Sequence, residues 1–167
     1  MCMMIKFFVG LAVIAFSTFC GYFIAGKYRK RCVFFVQFYE FNERFLSEVS
    51  YYRRPIRQFF GKYSYKGEFS ILLSEFLFSL ENDQVFGKKT LEHTAFQFLK
   101  KEEKSMLCDY FLMLGKGDSA AQKGYFSAVK ERLTILRGDA QKEEKRYVDL
   151  YVKLGFLFGL FILILIV

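Results

Sequence analysis

Tryptophan is absent from the 167 residues, proline and histidine occur once each, as Pro55 and His93, and cysteine four times. Each scarcity excludes something. One histidine with no second His and no neighbouring Cys pair leaves a metal site short of ligands. It also leaves a serine–histidine–aspartate triad without its nucleophile elbow, since no GxSxG stretch occurs. Cys2, Cys20, Cys32 and Cys108 match neither zinc nor thioredoxin spacing, and no disulfide framework emerges, so reduced thiols are expected. A single proline and few alternating β-branched runs argue against a β domain. The stretch Gly115-Lys116-Gly117-Asp118-Ser119 lacks the spacing of a phosphate loop and follows no strand pattern. No catalytic, cofactor-binding or metal-ligating residue stands out. A non-enzymatic protein without cofactor is the expectation.

Long uncharged runs are what the chain does have. Phe7 to Gly26 is twenty residues without charge, and Leu154 to Val167 is fourteen more. At 1.5 Å per helical residue, the first reaches about 30 Å, the thickness of a bilayer's hydrocarbon core. Lys6 before it resembles the start of a signal peptide, but the run is long for one and no A-x-A-like site follows. Phe19 before Cys20 also argues against a lipoprotein signal. An uncleaved anchor is expected. The second run reaches only about 21 Å. A full span would begin near Val148 and take in Asp149 and Lys153, the lysine snorkelling and the carboxylate at headgroup level. The domain boundaries that follow are 1–26 for an N-terminal anchor, 27–153 for a soluble domain and 154–167 for a C-terminal anchor.

The net charge is +8, of which 27–153 carries +7. Lys27, Arg29, Lys30 and Arg31 follow the first apolar run at once, where the positive-inside rule puts them. That side is then cytoplasmic, with the N-terminus facing out. Small residues recur every four positions in both runs: Ser17, Gly21 and Ala25 in the first, Gly155 and Gly159 in the second. Such stripes let helices approach closely in lipid, either with each other or with a second copy in a homo-oligomer. Ordinary glycine frequency in membrane helices is the plain alternative.

The middle reads as all-α, a bundle of about six helices. Phe34, Phe38, Phe41, Phe45, Val49 and Tyr52 share a face of a helix over about 33–54. Pro55 breaks it and opens a second helix, with Ile56, Phe59 and Phe60 on its apolar face. A third spans Glu68 to Leu80, a fourth lies near Thr90 to Lys100, and a fifth runs from Lys101 to Leu114. The last starts near Asp118 or Ser119, with capping-box spacing to Gln122, and continues into the C-terminal run, Gly138 being its expected bend. The 23 phenylalanines fit either the codon usage of a low-GC genome or a special aromatic role.

Leu114-Gly115, Asp118 and Gln122 fit an LGxSDxxxQ pattern. Lys153-Leu154-Gly155-Phe156-Leu157-Phe158-Gly159-Leu160 then leads into an Ile/Leu tail. With the N-terminal span, this resembles the stage III sporulation protein AB family. Glu48-Val49-Ser50-Tyr51 with Pro55-Ile56 is similar to that family's E-I-x-Y-x-x-T-P-L stretch. Gly117 stands where the family has Ser, and Arg54 where it has Thr. The resemblance implies a component of a channel-like apparatus between mother cell and forespore. The soluble domain would resemble the F-type platform domains of type II secretion and type IV pilus systems. The implied partners are a cytoplasmic ATPase of the secretion type and other stage III sporulation channel proteins, in the mother-cell membrane that faces the forespore.

Partner contacts have three sources of candidates. Arg53, Arg54 and Arg57 form a basic patch suited to an acidic ATPase surface. Asp118 and Gln122 either cap a helix or meet a partner at an exposed loop. Lys100–Lys104 and Lys142–Arg146 read as solvated helix faces, or as further docking charge. Two other functions stay open: a platform protein of a non-sporulation system, which would be expected to repeat its helical domain, and a membrane-tethered nucleic-acid binder. The even mixing of Glu among the cations argues against the latter, and no nucleic-acid partner is expected.

Overall fold

The computed structural model describes residues 2–51, 59–60, 62–82, 86–87, 91–92, 94–114 and 119–166. Among them there is no strand. The helices are α1 (Cys2–Tyr51), α2 (Gly67–Glu81), α3 (Lys101–Leu114) and α4 (Ser119–Ile166), with a 3₁₀ turn at Thr94–Phe96. The expectation of about six bundle helices is therefore corrected to four α-helices among the described residues. Two causes account for the difference. The first apolar run and the helix after it are one helix of 50 residues, because Lys27, Arg29, Lys30 and Arg31 are good helix formers and no proline separates them. Where the fourth helix is expected, near Thr90 to Lys100, the described residues Thr94–Phe96 form the 3₁₀ turn. There Leu99 N–H closes onto the Phe96 carbonyl at 3.2 Å, and Thr94, Phe96 and Phe98 are weak helix formers. The helix opened by Pro55 lies outside the described residues, apart from the buried Phe59 and Phe60.

The chain forms two compact units: Met1–Arg29 with Ala140–Val167, and Lys30–Asp139. Both α1 and α4 contribute to both units.

In the Lys30–Asp139 unit, local chemistry sets the helix ends. Gly67 opens α2 at a φ of +64°, which a side chain rarely tolerates. Asn82 closes it, its backbone and side-chain N–H groups both donating to the Phe78 carbonyl at 3.2 and 2.8 Å. At the start of α3, the Lys100 amide donates to Glu103 Oε2 at 2.9 Å, half of a capping box, and Glu102 adds favourable charge in the first turn.

The core of this unit is aromatic. Phe34, Phe35, Phe38, Phe41 and Phe45 are buried along α1. They meet Phe69 of α2, Tyr110 of α3 and Phe126 of α4 through mostly edge-to-face contacts, and Phe76 of α2 packs on Phe111 of α3. Representative centroid distances are 4.8 Å for Phe38–Tyr110, 4.7 Å for Phe76–Phe111 and 4.8 Å for Phe45–Phe126. Pairs of this kind add about 0.5–1.5 kcal/mol each beyond burial. The phenylalanine excess thus has a structural use: it fills the core.

In the other unit, α1 and α4 run antiparallel as a hairpin. Ile14 lies against Gly159, Ser17 against Gly155, Gly21 against Tyr151, and Arg29 against Glu144. Away from this seam the side chains are apolar and exposed. Phe23 is 78% accessible, and Phe16, Phe19, Leu157 and Phe158 point outward as well. Both helices are long and apolar enough to cross a membrane.

Candidate functional site

The hairpin seam is built from small residues. Ser17 Oγ donates to the Gly155 carbonyl at 2.7 Å, a hydrogen bond across 138 residues of sequence. A Cβ placed on Gly155 would sit 2.6 Å from the Ser17 carbonyl oxygen, and one on Gly159 would sit 2.7 Å from Ile14 Cα. A Cβ on Gly21 would collide with the Tyr151 carbonyl. Glycine is needed here because backbone meets backbone, the arrangement that substitutes for a hydrophobic driving force in lipid. Ala25 is 1% exposed. Thr18 satisfies its hydroxyl within its own helix, on the Ile14 carbonyl at 2.8 Å.

Above the seam the residue types change. Tyr28 stacks on Tyr147 at 4.4 Å and on Tyr151 at 6.1 Å, and the Arg29 guanidinium lies 4.3 Å from the Tyr22 ring. Arg29 also approaches Glu144 at 3.9 Å. Tyrosines with cations at the end of an apolar helix pair are the composition of a membrane–water boundary.

The Lys30–Asp139 unit contains two buried polar arrangements. Arg31 and Glu103, each 4% exposed, pair at 2.5 Å, with the guanidinium also 5.2 Å from the Phe35 ring. Losing one partner of such a pair costs about 3–5 kcal/mol, because the other charge is stranded. Asn42, fully buried, accepts from Tyr110 Oη at 3.0 Å and donates to the Phe126 carbonyl at 3.2 Å, tying α1, α3 and α4 together. Burial pushes the Tyr110 hydroxyl pKa well above its ordinary value. Glu48 holds Lys62 and accepts from Tyr63 Oη at 3.2 Å, and this carboxylate raises the Lys62 pKa. A groove of about 600 Å³ between α3 and α4 is lined by Glu102, Met106, Asp109, Tyr125, Val129 and Arg132. Burial raises the Tyr125 hydroxyl pKa, helped by Asp109 and opposed by Arg132.

Of the residues singled out from sequence, Arg53, Arg54, Arg57, Asp118 and His93 lie outside the described residues. Gln122 falls in the first turn of α4, with its side chain outside the description. Among the described residues, no cluster of three or more His, Cys, Asp or Glu could hold a metal ion. Cys20, Cys32 and Cys108 form no disulfide among the described residues. The Arg31–Glu103 pair and the Asn42–Tyr110 bond were beyond sequence reasoning. Each joins residues about seventy positions apart, and the only hint is a polar residue on an otherwise aromatic face of α1.

The family model for stage III sporulation protein AB matches residues 6–167, essentially the whole chain. The chain belongs to the stage III sporulation protein AB family. No curated protein and no solved structure matches it. The match spans both stretches quoted for the resemblance, Leu114 to Gln122 and Lys153 to Leu160, together with the whole of the hairpin seam from Gly10 to Leu163. The AB family is a sporulation family and not a known enzyme family.

Proposed function

We propose that this protein is a non-enzymatic, membrane-anchored component of the mother cell–forespore channel apparatus, and that it docks a cytoplasmic ATPase of the secretion type to other stage III proteins in the membrane. Family membership supports a role at stage III of sporulation. The observation that carries the membrane part is the hairpin: two long apolar helices, packed through glycine and serine, with aromatic residues turned outward. An outward apolar surface of this kind suits lipid and not water.

In this reading the hairpin sits in the mother-cell membrane facing the forespore, with 27–153 on the cytoplasmic side. The orientation follows from Lys27, Arg29, Lys30 and Arg31. Arg53, Arg54 and Arg57, with Asp118 and Gln122, are the proposed contacts for the ATPase or its neighbours. Ser17, Gly21, Ala25, Gly155 and Gly159 are the proposed packing residues of the membrane helices.

An in-frame deletion in the native host tests the function. It should arrest development after engulfment and abolish heat-resistant spores. The intact gene should restore them, and a version lacking 154–167 should not. Normal spores from the deletion strain would overturn the sporulation role.

A further inference from the structure

The hairpin register sets the depth of two charged residues that its seam does not use. With Gly21 against Tyr151 and Ser17 against Gly155, Asp149 lies level with Phe23 and Ile24, and Lys153 level with Phe19 and Cys20. Tyr147 and Tyr151 face α1 and stack on Tyr28, which marks the boundary level. Asp149 sits at that level and Lys153 one turn, about 6 Å, further into the apolar zone. Both are exposed on the outer face of α4, beside the exposed Leu150 and Leu154. Neither makes an ion pair among the described residues. Outward from Asp149 the same face carries the exposed Arg146 and Lys142, with Lys145 next to them.

From the bilayer interior outward, the face therefore reads cation at Lys153, anion at Asp149 and, beyond it, the cations Arg146 and Lys142; the inner two set the order that a headgroup meets. A zwitterionic phospholipid headgroup reads the opposite way: its phosphate is the deeper charge and its ammonium the outer one. The match holds in either leaflet, because both order their headgroups from the core outward. Lys153 can snorkel up its own stem to a phosphate oxygen. Asp149 then lies where a primary ammonium can donate to it, a charge-assisted hydrogen bond that a trimethylammonium cannot make. We propose that the outer face of α4 at Asp149 and Lys153 binds the headgroup of an ethanolamine phospholipid, Lys153 on the phosphate and Asp149 on the ammonium. The proposal rests on the membrane reading above.

The full chain would be reconstituted into nanodiscs of equal parts ethanolamine, glycerol and choline phospholipid. Lipid retained on release would be counted by native mass spectrometry. Wild type should retain the ethanolamine lipid about fivefold above its share of the bilayer, the weight of one charge at a membrane surface. Asp149→Asn should bring it down to that share, and Lys153→Gln should lose it too. The decisive variant is the double exchange Asp149→Lys with Lys153→Asp. It keeps net charge, and any pairing of the two residues between copies of the chain, but reverses their order in depth, so ethanolamine enrichment should vanish. Enrichment that survives the exchange would overturn the proposal, as would wild-type enrichment of the glycerol lipid alone, which would mean simple attraction to anionic lipid. So would a doubled mass that the exchange leaves intact, with no lipid preference, which would mean Asp149–Lys153 pairing between copies. Failure of the protein to enter nanodiscs would overturn the membrane reading itself, and this proposal with it. Entry without any lipid preference would overturn this proposal alone.

Discussion

Asn42 and Tyr110 show how much a single polar contact can weigh in an apolar core. Tyr110 is fully buried and packs edge-to-face on Phe38 and Phe126, and Asn42 is fully buried as well, so neither group could find water if the other were removed. A buried hydroxyl left without a partner costs about 1–3 kcal/mol. The same burial has a consequence in alkali. The Tyr110 hydroxyl titrates well above its unfolded value of 10.0, because ionising it would place a charge among rings. The folded state therefore keeps this proton when the unfolded chain has begun to lose it. The contribution to stability is complete below pH 10 and declines as pH rises beyond it. Denaturant unfolding of the full chain in detergent, followed from pH 8 to 11 by near-ultraviolet circular dichroism, should show stability falling above about pH 10. Tyr110→Phe should make that fall shallower. It should not remove it, since burial also raises the Tyr65 and Tyr125 hydroxyls. Equal slopes in the two proteins would show that Tyr110 reaches solvent without unfolding.

At the scale of the helices, some of the structure can be read from the residues and some cannot. The apolar periodicity of Phe69, Leu72, Leu73 and Phe76 places α2 within a residue at each end, and α3 begins at Lys101 and ends at Leu114 as the pattern implies. Both are short amphipathic helices with local end signals, which is where pattern is informative. The length of α1 is not legible in this way. A switch from apolar to basic residues at Lys27 reads as a border between segments, yet the backbone has no reason to stop there. Nor does composition show that Thr94–Phe96 forms a 3₁₀ turn, with the Leu99 amide closing onto the Phe96 carbonyl. The four-residue spacing of Ser17, Gly21 and Ala25 is visible in the sequence, while the backbone each residue meets is not. Gly155 is one such case. Gly155→Ala puts a methyl within 2.6 Å of the Ser17 carbonyl and 3.2 Å of Thr18 Cα, and backbone cannot give way as a side chain can. Spin labels at the outward Phe19 and Leu154 should move apart by about 2 Å in this variant, from glycine contact toward the usual helix spacing. Gly26→Ala, with open space around its Cβ, should leave the distance unchanged. No change in Gly155→Ala would mean that the helices are not held at backbone contact.

For the whole molecule, the arrangement of most consequence is that α1 and α4 each serve in both compact units. Chain passes from one unit to the other at Arg29 to Lys30 and at Asp139 to Ala140, and at both places the backbone is helical. A hydrogen-bonded helix interior resists bending more than a loop does. We propose that the docking role draws on that resistance. It can be weakened without touching a packed residue. Asp139 and Gln141 are exposed on α4, and each change to glycine costs a helix interior about 1 kcal/mol. Asp139→Gly with Gln141→Gly should leave the protein in the membrane at normal level, yet lower the yield of heat-resistant spores. Asp139→Ala with Gln141→Ala removes the same side chains but keeps the helix stiff, and should sporulate like wild type. The contrast separates loss of surface contacts, which both variants share, from loss of helical continuity, which only the glycine variant suffers. If the glycine pair sporulates as well as the alanine pair, the two units need no rigid connection, and the chain acts as a tether that holds its partners near one another.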